Sequence, residues 1–145
     1  MHERASALIE MLGLAPHPEG GYFREVFRSQ LKVRPEDGRP PRASLTTIYF
    51  LLVKGQVSTW HRVAADEAWH YCEGDPLELT WIDQAKHRVV RHVLAPVAEG
   101  QAPVVVVPAG CWQSAWPLGA YTLVGCTVGP GFEYEDWELL HLGVP

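Results

Sequence analysis

The residues best suited to chemistry crowd into one stretch, G-Q-V-S-T-W-H-R-V-A-A-D-E-A-W-H-Y-C-E-G (residues 55–74), where His61 and Glu67 lie between two glycine turns. A second segment, P-A-G-C-W-Q (residues 108–113), answers it later in the chain. A partly buried carboxylate beside an imidazole fixes its tautomer and favours its protonated form, which suits general acid or base work near neutral pH. The plainer alternative is a buried His–Glu hydrogen bond that merely satisfies two polar groups.

Such a pair meets only if the surrounding elements aim both side chains at one place. The two halves of the stretch read as strands, residues 56–62 and 67–72, joined as a hairpin. Side chains alternate along a strand, so Val57, Thr59, His61 and Val63 share one side, and Glu67, Trp69 and Tyr71 share another. If both sides face one cavity, His61 and Glu67 meet inside it. Alternation turns His70 the other way, toward an exposed face or a partner; His87, His92 and His141 read as ordinary sheet or surface residues.

The rest of the chain supplies the frame. Ala5, Leu8, Ile9 and Leu12 fall at helical spacing before Gly13, which predicts one short amphipathic helix packed on the outside of a sheet. An irregular entry, L-A-P-H-P-E-G-G, follows, with Gly20-Gly21 serving either a turn or a close backbone approach, the turn being the default. Residues 22–28 then alternate, placing Tyr22, Arg24, Val26 and Arg28 on one side and Phe23, Glu25 and Phe27 on the other. Residues 29–43 carry Pro35, Pro40, Pro41 and Gly38 and predict a long surface loop that covers or uncovers a pocket. From residue 44 onward short strands recur at 45–53, 77–82, 87–94, 104–107, 112–116 and 121–128, and the tail is expected to form a helical turn or a last strand. Many short strands with turn signals and one helix indicate a single antiparallel β domain, a sandwich or a barrel.

Composition excludes several classes of function. A chain of 145 residues has room for one real core and no second domain, and 47% hydrophobic with 20% charged residues is a globular composition. Its apolar runs, such as residues 104–107, are far too short to cross a bilayer, so no membrane association is expected. A formal charge of -5 argues against nucleic acid, since the basic residues Lys32, Arg34, Arg39 and Arg42 are diluted by Glu36 and Asp37. Three cysteines in apolar surroundings and no signal-peptide pattern in residues 1–20 point to the cytoplasm.

The spacing of Gly55, His61, Val63, Glu67 and Gly74, followed by Pro108, Gly110 and Gln113, resembles the two motifs of the cupin superfamily. Four ordered segments, H-P-E-G-G-Y-F-R-E, W-H-R with D-E-A-W-H, P-A-G-C-W-Q and G-P-G-F-E-Y-E-D-W, resemble the cupin_5 (DUF985) branch over nearly the whole chain. That resemblance implies an all-β, cupin-type jelly-roll β-barrel with one short N-terminal helix, and a homodimer paired through a sheet face that includes His70 and either Leu45 or Phe23.

Metal-binding cupins typically use two His and one Glu from the first motif and a His from the second. Here Val63 and Gln113 stand at two of those positions, leaving His61 and Glu67 as the only strong ligands. No cofactor is therefore expected, with a divalent transition metal at His61 and Glu67 as the alternative. The expected function is binding of a small sugar-like or anionic metabolite, with isomerase- or epimerase-like proton transfer by His61 and Glu67, as in the metal-free sugar-nucleotide epimerases that share the fold. A non-catalytic ligand-binding cupin and a metal-dependent oxygenase are the alternatives. Trp69 and Tyr71 are expected to stack on the ligand or fill the barrel, Gln113 to hydrogen-bond the ligand or backbone, and Arg24 to hold a carboxylate or phosphate or pair with an acidic residue such as Glu133, which is itself counted among the expected substrate-binding residues.

Overall fold

The computed structural model describes residues 1–140; His141 lies outside them. The helix α1 (Glu3–Leu12) occupies the span its apolar spacing predicts. His2 caps its start by accepting the Arg4 N–H through Nδ1, and Gly13 ends it in the left-handed conformation at φ 64°. Its buried face, Ala5 and Leu8, packs with Leu14 on Leu51 and Leu123 on the outer surface of a sheet. Arg4 pins the same end by a two-pronged ion pair with Glu73, at 2.7 and 2.9 Å.

Among the described residues thirteen strands follow: β1 (Ala15–Pro16), β2 (Tyr22–Arg28), β3 (Lys32–Val33), β4 (Arg42–Ala43), β5 (Thr46–Val53), β6 (Ser58–Val63), β7 (Asp66–Gly74), β8 (Leu77–Asp83), β9 (Arg88–Leu94), β10 (Val104–Val107), β11 (Gln113–Pro117), β12 (Tyr121–Gly129) and β13 (Trp137–Leu139). They form a six-stranded sheet ordered β1-β2-β5-β12-β7-β10, a five-stranded sheet ordered β13-β6-β11-β8-β9, and the small β3-β4 ribbon. The fold is the expected jelly roll. Its two main sheets keep separate hydrogen-bond ladders, so it is a sandwich rather than one continuously bonded barrel.

Three local expectations are corrected. β6 and β7 are not a hairpin: they belong to opposite sheets, and the short turn between them carries the chain across the sandwich. His61 and Glu67 therefore approach from facing walls. In β2, Val26 is an extra residue between the Glu25↔Ile48 and Phe27↔Thr47 pairs, a bulge that reverses the alternation. Arg28 consequently joins Phe23 and Glu25 on the inner side instead of Arg24, and Phe23 lines the interior instead of supplying an outer partner surface. In β6 a second irregularity lets Ser58 and His61 both face inward, because Ala115 pairs with Ser58 while Gln113 pairs with His61. Thr59 and Val57, grouped with His61 by strict alternation, are exposed.

Between the sheets, Phe50, Leu52, Trp69, Leu77, Leu79, Leu94, Val105, Val107, Ala115, Val124 and Cys126 fill one end of the sandwich. The other end of the same strands, around Thr46, His61, Glu67 and Val128, stays open as a cavity. The stretch 29–43 is not a free loop over it. Arg42, buried to 4% exposure, holds Asp136 through Nε and Nη2, both at 2.9 Å, and Arg39 reaches the same carboxylate at 3.0 Å. Those pairs fasten the tail, whose Phe132, Tyr134 and Trp137 form one cavity wall; no residue of 29–43 lines the cavity itself.

Candidate functional site

The entry segment H-P-E-G-G builds one side of the site. The Gly20 N–H donates to the His17 carbonyl at 3.0 Å and the His17 N–H donates to the Gly21 carbonyl at 2.9 Å, closing a tight turn. Gly20 and Gly21 have φ of 108° and 80°, and a Cβ on Gly20 would collide with the Val57 carbonyl. The glycine pair thus serves both the turn and a close approach to the strand entry, since only glycine has no Cβ to exclude the neighbour. Thr59 N–H seals the contact by donating to the Glu19 carbonyl at 2.7 Å. As a result the Glu19 side chain turns inward, with 6% of the residue exposed.

Inside, Glu19 Oε1 accepts from Ser58 Oγ at 2.9 Å, and Oε2 accepts from Trp137 Nε1 at 3.3 Å. The same Oε2 lies 3.4 Å from His61 Nε2. His61 Nδ1 is 2.7 Å from the Thr59 carbonyl, which can only accept, so Nδ1 carries a proton and Nε2 faces the carboxyl. A lone pair and a bare carboxylate would repel at that distance. One proton therefore belongs to the Glu19–His61 pair.

Glu67 enters from the facing sheet. Its Oε1 accepts from Gln113 Nε2 at 2.7 Å, while Gln113 Oε1 accepts from Trp69 Nε1 at 2.9 Å. Glu67 and His61 both line the cavity, but no His61 nitrogen comes within 4 Å of a Glu67 oxygen; the carboxylate in contact with His61 is Glu19. Burial dominates the electrostatics. Desolvation pushes the Glu19 carboxyl up to about 7, with the hydrogen bonds from Ser58 and Trp137 holding it back. It pushes Glu67 to about 7 as well, aided by the Glu19 charge and opposed by His61, Gln113 and the Cys126 thiol. His61 is held below its usual value by desolvation, against the pull of Glu67 and the Thr59 carbonyl, and His17 falls to about 4 through desolvation and the neighbouring His61. The Cys126 thiol is pushed well up by burial and the two carboxyls, so it stays protonated and is no nucleophile.

The remaining expected site residues divide. Arg24 and Glu133 stand at the rim, but they are not paired: Glu133 holds Arg28 at 3.1 Å, while Arg24 Nη1 donates to the Leu12 carbonyl at 3.3 Å. Among the described residues Arg24 has no carboxylate within 4 Å. Trp69, Tyr71 and Gln113 do not line the cavity. Trp69 and Tyr71 share the inner face with Glu67 but sit further along β7, where the core is filled, and the Tyr71 hydroxyl donates to the Gly74 carbonyl at 2.6 Å. Gln113 acts from behind the wall, orienting Glu67. His70 lies outside the cavity, half-buried on the outer side of β7. Sequence reasoning missed His17, Glu19, Ser58 and Trp137. The available signal was the imidazole and carboxylate beside a double glycine in H-P-E-G-G, a segment that carries the family resemblance but whose side chains had been given no chemical role.

The cavity encloses about 460 Å³. Phe23, Ile48, Val63, Val128, Phe132 and Trp137 give it apolar walls, with Glu19, His17, His61 and Glu67 as convergent polar groups, the usual make-up of a small-molecule site. The donor set does not fit a cupin metal. Val63 offers no ligand atom, both ends of the Gln113 amide are engaged, and both His61 nitrogens have protein partners. Among the described residues no group of three or more His, Cys, Asp or Glu is arranged to hold an ion.

Fold and cavity together define a cupin, a jelly roll with a small-molecule cavity at one end. The chain matches the Cupin_5 description, "Cupin superfamily (DUF985)", over residues 6–140, and it belongs to that family. A hypothetical protein from Leishmania major is similar at 38% identity and TM-score 0.86, covering 94% of this chain and 86% of that one. A protein from Shewanella oneidensis is similar at 36% identity and TM-score 0.84, covering 94% and 84%. Oxalate decarboxylase from Bacillus subtilis shares the fold at 19% identity and TM-score 0.64, covering 86% of this chain and 29% of that one. No curated protein sequence matches the chain.

Proposed function

We propose that the cavity binds a small sugar-like or anionic metabolite and moves a proton on it, in isomerase- or epimerase-like fashion. The observation that carries this reading is the buried contact between Glu19 Oε2 and His61 Nε2 at 3.4 Å, in a cavity of about 460 Å³ that a second carboxyl, Glu67, also lines. A catalytic acid or base works best when its pKa lies near the operating pH, and both carboxyls are lifted to about 7. Roles follow from the free valences. Both His61 nitrogens are engaged, so His61 and Glu19 act as a proton reserve. Glu67, fixed by Gln113 but open to the cavity, is the group that takes a proton from the ligand. Arg24 at the rim suits an acidic substituent at the ligand's outer end.

The test is deuterium incorporation in heavy water, followed by proton NMR, with a panel of aldoses, ketoses, sugar phosphates and 2-oxo acids. The parent chain is expected to exchange a carbon-bound hydrogen on at least one compound, and Glu67→Gln to slow that exchange by about a hundredfold or more, the scale of one acid–base group. Native mass spectrometry of freshly purified protein, with metal analysis, supplies the opposing result. A copurified ligand that the chain binds but never exchanges would make it a binding module, and a transition metal near one per chain would overturn the proton-transfer roles.

A further inference from the structure

We propose that His17 is the hydrogen-bond donor for a carbonyl oxygen of the ligand, which makes the substrate class of this cavity a carbonyl compound with a removable hydrogen on the adjacent carbon. The inference rests on the proton-transfer reading above and adds the group that receives the displaced electron pair.

The tautomer of His17 follows from one contact. The Glu19 backbone N–H donates to His17 Nδ1 at 3.0 Å, and a backbone amide nitrogen cannot accept, so Nδ1 holds the lone pair and Nε2 holds the hydrogen. The nearby carboxylate, Glu19 Oε2, lies 3.9 Å from Nδ1 and leaves Nε2 untouched. Among the described residues no acceptor stands within hydrogen-bond distance of Nε2. The side chain keeps only 6% of its surface exposed, and Phe23 packs edge-on against the ring with centroids 4.5 Å apart, so the ring is fixed in place. The ring also lines the cavity. Thr80 Oγ1 is the one sealed side-chain atom among the described residues that lacks a partner, so His17 Nε2 is instead reached from the cavity, where a fixed donor with no protein acceptor can be met by one that the ligand brings.

The chemistry around it selects the kind of acceptor. Glu19 and Glu67 occupy the same enclosure, and an anionic group placed between them and His17 would add a like charge where water cannot screen it. A neutral carbonyl oxygen takes the N–H without that penalty. The same contact strengthens during reaction. When Glu67 carboxylate removes the hydrogen from the carbon next to the carbonyl, the C–H pair becomes the new C=C bond and the carbonyl π pair moves onto oxygen. The Nε2–H then faces a developing oxyanion, which a neutral imidazole stabilises as a donor without surrendering a cationic charge. Return of a proton to the same carbon, on either face, restores the carbonyl and the Glu67 carboxylate and completes the exchange or epimerisation without any oxidant or reductant. Depression of the His17 pKa to about 4 by desolvation keeps the imidazole neutral across the physiological range.

The experiment uses the whole chain with ¹⁵N-labelled histidine, probed with hydroxyacetone, dihydroxyacetone and 2-oxobutyrate. The free protein is expected to show His17 as the Nε2–H tautomer, and a saturating probe to move the Nε2 resonance. His17→Phe is expected to weaken probe binding at least tenfold and slow deuterium exchange at least a hundredfold, while His17→Gln, which keeps an N–H, recovers part of both. An Nδ1–H tautomer, or exchange unaltered in a folded His17→Phe variant, overturns this inference and leaves the proton-transfer reading intact. If no probe exchanges but the Nε2 resonance moves on binding, the donor role stands and the catalytic reading fails. A resonance that no probe moves overturns the donor role.

Discussion

Replacing Glu19 by Gln should make the protein more stable above neutrality and slightly less stable in acid, with the sign changing between. The unfolded carboxyl titrates near 4.5 and the folded one near 7, because burial penalises its charge. A folded group that holds its proton more tightly than the unfolded chain does contributes stability that is complete below 4.5 and is lost as the pH rises to about 7. At about 1.4 kcal/mol per pH unit, that 2.5-unit interval removes about 3 kcal/mol from the parent chain. The Gln variant has no such loss. Its amide can still accept from Ser58 and donate to His61 Nε2, but it presents N–H where Trp137 Nε1 donates at 3.3 Å, a sacrifice of about 1 kcal/mol at every pH. The variant should lie about 1 kcal/mol below the parent at pH 4.5 and about 2 kcal/mol above it at pH 8.

Only the difference between the two proteins isolates Glu19. His17 slopes the other way: its folded value is depressed to about 4, so its contribution is present above 6.5 and is lost as the pH falls toward 4. In the parent chain these slopes offset one another between 4.5 and 6.5. Urea unfolding of both proteins at half-unit intervals from pH 4.5 to 8.5 gives the difference directly. A difference that stays flat, or that falls as the pH rises, would refute the claim that Glu19 holds a proton near neutrality.

Three further outcomes follow from the geometry. Gln113→Leu leaves the buried Trp69 N–H without its acceptor and Glu67 without its donor, and should cost about 1–3 kcal/mol in denaturant unfolding while raising the Glu67 titration seen by carboxyl ¹³C NMR. Gly20→Ala forces a Cβ toward the Val57 carbonyl at a φ of 108° and should cost about 3 kcal/mol, read as a lowered thermal midpoint, whereas the same change at Gly38, with open space around it, should cost less. Arg42→Met removes the clamp on Asp136, and amide hydrogen exchange should quicken in residues 132–139 while the amides of β5 and β12 remain protected.

The strands were legible because alternating apolar residues bounded by turn residues predict half-buried ladders, and α1 because four apolar positions at helical spacing end at a glycine. The faces were less legible. Val26 in β2 and the irregular pairing of β6 each insert a residue, and a single insertion exchanges inside for outside along the rest of a strand. That is why Arg28 rather than Arg24 faces inward, and why Ser58 joins His61. A turn between 63 and 66 was correctly placed, yet the turn residues alone do not say whether the next strand pairs with the last or crosses to the other sheet. That depends on which ladders β11, β12 and β13 complete later in the chain.

Glu19 was illegible for a different reason. Its inward aim depends on no periodicity; it depends on two left-handed glycines that let the entry segment press against Val57 and Thr59. This bears on the chemistry, because the residues standing at the cupin ligand positions have been put to other use. Val63 forms apolar wall, and Gln113 turns its amide away from the cavity to tie Glu67 to Trp69. Glu19, from a segment outside both cupin motifs, supplies the contact to His61. Two carboxyls and an imidazole in apolar walls cannot all be charged, and what such a cluster can do readily is store and redistribute a proton. The stability given up on ionising Glu19 then measures how far the fold has been strained to keep that proton available near neutral pH.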